Sequence, residues 1–408
     1  MNATAQLQTA QKAFSEGRPE EGRRLLEAAA KSGDASAAYS FAVALAYGQG
    51  GPVDRRIAAS WLAESSAEVP AARQLHRFSL AHGWAGEKNW EEAVSDLTES
   101  AKSGNPAALR EAGLLCLILN ENEIALSLLD QAANTGDMPA GMALLRLEQA
   151  IAPDAGWAET VRSGLLRSKH PLANELSENP LEKSGGESTG LDWPAVTATL
   201  SRFARAGSSG ETLIENISAV SYPGALPAAV CDYVISSGLR ALQPSTIVDP
   251  QTGQKIHDPH RQSLSMTFAP HLQDLVHVAV ERVMCTLAGC PAENSERLNL
   301  LFYRPGEQYR PHVDYFAPDD DGNSAELARS GQRVATSLVC LHAASEGGGT
   351  GFPRFETAWN GQPGDGLTFR NVKTSGEVEP LSLHQGEAVA AGWKALASLW
   401  IRDREFAA

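Results

Sequence analysis

Four short stretches in the first 140 residues are variants of one phrase: EAAAKSGDASAA (Glu27 to Ala38), AESSAEVPAA (Ala63 to Ala72), ESAKSGNPAA (Glu99 to Ala108) and DQAANTGDMPA (Asp130 to Ala140). Each ends a helix, breaks, and opens the next helix on small residues. The breaks, Gly33, Glu68, Gly104 and Gly136, fall at intervals of 32 to 36, the period of helix-turn-helix solenoids. One such unit cannot bury its own apolar face, so the fold is obliged to stack neighbours. Small residues at fixed offsets let paired helices approach closely, which accounts for the abundance of alanine here.

At 408 residues the chain is too long for a single core, and its local grammar changes along its length. Residues 1–165 read as the α-helical repeat region. Residues 166–211, with KHPLANELSENPLEKSGGESTG (Lys169 to Gly190), read as a polar linker broken by Pro and Gly and followed by a short helix near Trp193 to Ala206. From 212 to 408 the pattern is short β-type runs: LNLLFYR, RVATSLVCL, GLTFR, AVAAG and ALASLWIR. Two helices are expected among them, Pro227 to Leu242 and Pro270 to Leu287. Few helical crossovers favour an antiparallel double-sheet barrel. The fold class is therefore multidomain α plus β. Within the repeats, AYGQGGPVDRRIAASWLAESSA (Ala46 to Ala67) resembles the tetratricopeptide-like Sel-type repeat. That resemblance implies either a concave surface for a protein or peptide, or an all-helical scaffold that supports the second half or makes a dimer contact.

A net charge of −15 argues against nucleic-acid and anionic-membrane partners, which need a basic face. The opening MNATAQLQTAQKAF has neither a basic region nor an apolar core of the signal-peptide kind, and no apolar run approaches a membrane span. A cytoplasmic protein is expected. Five irregularly spaced cysteines (Cys116, Cys231, Cys285, Cys290, Cys340) match no zinc pattern and are expected to be reduced and mostly buried.

The chemistry concentrates in YRPHVDYF (Tyr309 to Phe316). If this segment is a strand, His312 and Asp314 project from the same face. A histidine nitrogen and a carboxylate oxygen suit a borderline metal such as Fe(II), which needs one more histidine and open positions. H-x-D by itself carries little information in a chain with ten histidines. His384, in LSLHQGEAVAAGWKALASLWIR, is the natural third ligand. Lys394, ten residues further on, would be a lone cation inside a barrel, costly unless it meets an anion such as a dicarboxylate.

With FYRPGEQYRPHVDYF, GQRVATSLVCL, EGGGTGFP, PGDGLTF and SLHQGEAVAAGWKALASLWI in this order, the region from Ser218 onward resembles the prolyl 4-hydroxylase branch of the Fe(II)/2-oxoglutarate-dependent dioxygenases. HRQSLS (His260 to Ser265) is similar to that family's Arg-x-Ser segment. The resemblance implies a double-stranded β-helix (jelly roll) with His312, Asp314 and His384 as iron ligands. It implies that Lys394 binds 2-oxoglutarate with help from Tyr303 and Thr350, and that Tyr309, Arg333 and Trp400 line the substrate channel. Fe(II), 2-oxoglutarate and O2 are the implied cofactors, with ascorbate a candidate reductant. The implied reaction couples decarboxylation of 2-oxoglutarate to succinate with hydroxylation of an unactivated C–H bond. Asp314 favours hydroxylation, because halogenating relatives lack that carboxylate. Three positions depart from the family: Glu387–Ala388 where a small-Cys-Pro run is usual, Ala395 where an aromatic is usual, and Arg402 where some relatives carry histidine.

Three functions are compatible with these residues. The first is hydroxylation of a prolyl residue in a peptide or protein, with the repeats helping to select it. The others are hydroxylation of a free amino acid or other small molecule, and a non-catalytic scaffold that senses iron or oxygen. His342 is expected to be structural, and His257, His260, His271 and His277 to be surface or satisfied polar residues. EGGGTG lacks the Gly-Lys-Ser/Thr of a phosphate loop. Two polar loops, Asp249 to His260 and Ala317 to Gly331, are candidate lids.

Overall fold

The computed structural model describes residues 3–153, 156–184, 190–202, 209–248, 254–317 and 323–406. The first half is a succession of short helices: α1 (Ala3–Ser15), α2 (Pro19–Lys31), α3 (Ala35–Tyr47), α4 (Arg55–Ser65), α5 (Pro70–His82), α6 (Trp90–Lys102), α7 (Pro106–Ile118), α8 (Asn122–Asn134) and α9 (Met138–Leu147). From α1 to α6 each packs on the next. The repeated phrase has a capping logic. Asp34, Asn105 and Asp137 accept the N–H groups of Ala37, Ala108 and Ala140 at 2.7, 3.0 and 2.9 Å, each satisfying a donor left open by the first turn of a helix. Gly33, Gly104 and Gly136 just before them sit at φ +92°, +83° and +90°, a conformation side chains resist. Glu68 needs no such conformation, because Pro70 opens α5 instead.

Further helices are α10 (Trp157–Ser168), α11 (Ala173–Glu178), α12 (Trp193–Ser201), α13 (Ala228–Gly238), α14 (Leu275–Leu287) and α15 (Ser324–Ser330). The expected linker is thus partly structured: it contains α11, and its Glu182–Lys183 pairs in parallel with Gln149–Ala150. The second expected helix begins at Leu275 rather than Pro270. Residues Pro270–Leu272 form a 3₁₀ turn, and Asp274 caps the helix by accepting from the N–H groups of Val276 and His277. No helix among the described residues is long and apolar enough to cross a membrane.

Twelve strands build two antiparallel sheets. They are β1 (Glu211–Ile214), β2 (Ala219–Tyr222), β3 (Gln243–Pro244), β4 (Leu264–Thr267), β5 (Asn299–Tyr303), β6 (Tyr309–His312), β7 (Arg333–His342), β8 (Thr350–Phe352), β9 (Thr357–Trp359), β10 (Gly366–Arg370), β11 (His384–Gly386) and β12 (Lys394–Arg402). The large sheet runs β1-β2-β10-β7-β12-β5-β4-β3 and the small one β6-β11-β8-β9. The apolar runs seen in the sequence are the central strands β5, β7, β10 and β12, whose residues are almost all buried. Leu301, Leu338, Leu367 and Leu396 from the large sheet pack with Phe352 and Trp359 from the small one. This is the double-sheet barrel the sequence leads one to expect.

The chain divides into two compact units that are not contiguous in sequence. One comprises Met1–Glu111, Asp192–Ser201 and Ala269–Val278; the other comprises Ala112–Leu191, Arg202–Phe268 and Ala279–Ala408. The last helices of the repeat region are therefore part of the β-rich unit, although local spacing places the change of grammar near residue 165. Within that unit Arg146 of α9 meets Asp232 of α13 at 2.5 Å and Glu175 of α11 at 3.0 Å. Glu175 in turn lies 2.6 Å from His342 Nε2. His342 stacks on Trp393 with ring centroids 3.5 Å apart, so it is a structural residue. The five cysteines are free, four of them buried and Cys290 partly so.

Candidate active site

Strands β6 and β11 of the small sheet pair so that His312 stands directly opposite His384. Both imidazoles are oriented by their own backbone neighbours. Nδ1 of His312 lies 2.9 Å from the carbonyl of Arg310, and Nδ1 of His384 lies 2.9 Å from that of Ser382. A carbonyl only accepts, so each Nδ1 carries the proton and each Nε2 presents a lone pair. The two Nε2 atoms face Asp314 at 3.8 Å from Oδ1 and 3.5 Å from Oδ2 respectively. Among the described residues these three form the one group of ligating side chains close enough to hold a metal ion, with the ligand atoms all within 4.8 Å of one another.

Asp314 reaches this position by a route the sequence did not suggest. Strand β6 ends at His312 and Asp314 lies in the bend beyond it, so strand alternation is not what aligns the pair. The carboxylate is held instead by Thr336 of β7, whose hydroxyl donates to Oδ2 at 2.6 Å, and Thr336 is itself fixed by the Asn371 amide at 2.9 Å. Burial opposes the charge of Asp314, but His384, His312, Arg333 and the Thr336 hydrogen bond outweigh it and bring its pKa down to about 2. Burial, reinforced by His384, lowers the pKa of His312 to about 3, which keeps its ring neutral. Two imidazoles and one carboxylate are the donor set of a 2-His-1-carboxylate face. Aromatic rings enclose it: Tyr309 stacks on His312 at 3.5 Å and Phe369 stands edge-on to His384 at 4.7 Å.

One strand register links this cluster to a second. Two residues beyond His384, Gly386 pairs with Thr350 of β8, and Tyr303 of β5 pairs with Lys394 of β12. Lys394 is 5% exposed. Its ammonium lies 3.5 Å from the Thr350 hydroxyl and 5.7 Å from the Tyr303 ring centre, and no carboxylate among the described residues is within ion-pair distance. Burial pulls its pKa down to about 8, against the opposing influence of Cys340 and Glu387. A buried cation without an anion, flanked by two hydroxyl-bearing side chains, suits the distal carboxylate of a dicarboxylic cosubstrate. The expected trio of Tyr303, Thr350 and Lys394 is therefore brought together. The glycines of EGGGTG form the turn into β8, with Gly347 and Gly348 at φ +70° and +73°.

Arg333 and Trp400 stand beside the metal-ligand cluster, stacked on each other at 3.9 Å. Arg333 is committed to protein groups. It makes two bonds to Glu296, at 2.6 and 2.9 Å, and one to the backbone carbonyl of Asp314 at 3.4 Å. Glu296 also receives Arg402 at 2.6 Å, and Arg402, only 2% exposed, donates further to Glu326 of α15 and to the Gly331 carbonyl. Sequence reasoning missed Glu296, Thr336 and Asn371. The departure at Arg402 was the available signal for Glu296, since a buried guanidinium requires a carboxylate. The candidate lid Ala317 to Gly331 is thus tied down at its C-terminal end. Residues 318–322 of that loop, and 249–253 of the other, lie outside the described residues.

A double-sheet β unit with a buried His-Asp-His face and a neighbouring buried lysine defines an oxygenase of the Fe(II)/2-oxoglutarate class. No family model matches the chain, but individual relatives do. It is 33% identical over 189 residues to prolyl 4-hydroxylase 1 of Arabidopsis thaliana, covering 43% of this chain and 65% of that one. It is 31% identical over 258 residues to the probable prolyl 4-hydroxylase 10 of the same plant, covering 58% of this chain and 87% of that one. A Sel1 repeat protein from Oxalobacter formigenes aligns in structure over 48% of this chain and 87% of its own, at 19% identity and a TM-score of 0.36. The chain belongs to the prolyl 4-hydroxylase family.

Proposed function

We propose that this enzyme hydroxylates a prolyl residue in a peptide or protein, using Fe(II), 2-oxoglutarate and O2. His312, Asp314 and His384 would hold the iron, and Lys394, Thr350 and Tyr303 the cosubstrate. Iron and 2-oxoglutarate bound there supply the oxidant for an unactivated C–H bond, with 2-oxoglutarate leaving as succinate and carbon dioxide. The chain's own residues orient and exclude. Thr336 and Asn371 hold the Asp314 carboxylate in place, the carbonyls of Arg310 and Ser382 aim the two imidazoles, and the aromatic enclosure keeps water from the reacting atoms. Tyr309 lies against His312 under the Arg261 guanidinium, whose carbon is 5.0 Å from the ring centre, and is the side chain assigned to the substrate side. Arg333 and Trp400, stacked on each other, would line the same channel.

The observation that carries this reading is the buried, anion-free Lys394 beside a three-ligand metal face. The test incubates the protein with Fe(II), 2-oxoglutarate and proline-rich peptides. A gain of one oxygen atom on a prolyl residue, with matching succinate, is the expected result. Oxygen gain on free amino acids with none on any peptide would move the substrate to a small molecule.

A further inference from the structure

The compact unit built on the first repeats contains a segment from far along the chain, Ala269–Val278. Its polar groups are met by residues from the first helix of three successive repeats. From α3, the Tyr47 hydroxyl lies 2.7 Å from His271 Nδ1 and accepts the His271 N–H at 3.2 Å. From α5, the Gln74 amide donates to the Gln273 carbonyl at 2.9 Å. From α7, Glu111 accepts the Leu275 N–H at 2.7 Å, and Arg77 of α5 steadies Glu111 at 3.4 Å while bonding Ser100 at 2.6 Å. Arg77, Glu111, Gln273, Asp274 and His277 are all buried. The segment presents a short turn, then an Asp-capped helix start in which Asp274 also meets His277 at 2.7 Å.

Contacts to backbone N–H and C=O groups, contributed by successive repeats of stacked helices, are how a solenoid reads a peptide. We propose that the face formed by Tyr47, Gln74, Arg77 and Glu111 is a peptide-recognition surface whose resident ligand is this chain's own segment Ala269–Val278. The substrate is therefore not recruited through it. A partner arriving in trans would have to offer an Asp-capped helix start with the chemistry of HLQDL. It would also compete against a tethered ligand whose effective concentration is of millimolar order. Glu111, buried and accepting the segment's Leu275 N–H, would be left with an unmet carboxylate oxygen if the segment departed.

The proposal is tested on the full chain with a fluorescent peptide of residues 269–278. The wild type should not bind it at micromolar concentrations. A His271→Ala/Asp274→Ala variant, whose own segment loses its side-chain bond to Tyr47 and its helix cap, should bind it saturably, and adding Glu111→Gln should weaken that binding about tenfold or more. Equal binding by wild type and variant, or none by a folded variant, overturns the idea. Should that variant fail to fold, hydrogen exchange decides between wild type and Tyr47→Phe/Gln74→Ala. Amides 271–277 should exchange about tenfold faster in the latter with the β-sheet amides unchanged, and unaltered exchange refutes the assignment. Gln74→Ala should also leave KM for a prolyl peptide unmoved; a raised KM at constant kcat would show that substrate uses this face.

Discussion

Lys394 makes the sharpest demands at the scale of single residues. The drop of its pKa from 10.5 to about 8 corresponds to on the order of 3 kcal/mol against keeping the charge buried. The folded pKa lies below the unfolded one, so this cost is fully present below pH 8 and is relieved as pH rises from 8 to 10.5. Lys394→Met should therefore stabilise the cofactor-free protein at pH 7 by roughly 1–3 kcal/mol, measured by urea unfolding, while abolishing stabilisation by 2-oxoglutarate. In the wild type, affinity for 2-oxoglutarate should fall above pH 8 by up to about tenfold per pH unit, because binding then requires proton uptake. Calorimetry showing pH-independent affinity between 7 and 10 would contradict this. His312→Ala should leave the fold intact and remove metal binding along with succinate formation. Glu296→Gln should destabilise by about 3 kcal/mol, because two buried guanidiniums lose one carboxylate. Combining it with Arg402→Leu should cost less than the sum of the two changes.

The strap formed by α15 makes its prediction at the scale of elements. With Glu326 and the Gly331 carbonyl both held by Arg402, residues 324–331 should resist limited proteolysis even without cofactors. Glu326→Ala should open them to cleavage; ready cleavage of the wild type would restore a mobile lid. How much could be read in advance differs by element for physical reasons. Strands β5, β7, β10 and β12 were legible because continuous apolar runs bounded by turn residues have few other uses. The repeat breaks were legible because a capping Asp or Asn after a left-handed Gly leaves a local signature. The start of α14 was misplaced because Pro270 suits a 3₁₀ turn as well as an α-helix, and the true cap, Asp274, bonds with His277 as well as with the backbone. The bend that delivers Asp314 was invisible, because it is decided by Thr336 and Asn371, which lie 22 and 57 residues further along the chain.

The division into units changes what a truncation can test at the scale of the whole molecule. A cut at residue 165 looks natural in the sequence, yet it removes Arg146, the partner of buried Asp232, together with α8 and α9 of the β-rich unit. Such a fragment should lose about 3–5 kcal/mol from that ion pair alone and be recovered mostly insoluble. A soluble fragment with an unaltered melting temperature would show that α9 is dispensable. Asp232→Asn in the full chain isolates the same interaction without truncation.

The scattered membership of the first unit has a consequence during synthesis. Helices α1 to α6 leave the ribosome first, but the segment that Tyr47, Gln74 and Glu111 engage is translated more than 150 residues after the last of them. Until then Glu111 lacks the Leu275 N–H it accepts, and the nascent repeats wait unfinished while the β-strands begin to emerge. The N-terminal half should therefore stay sensitive to protease on ribosomes arrested before residue 269 and become resistant only after residue 278 has cleared the exit tunnel. In that order of events the repeat helices, made before the β-strands, are completed only after most of those strands' helical neighbours have been translated.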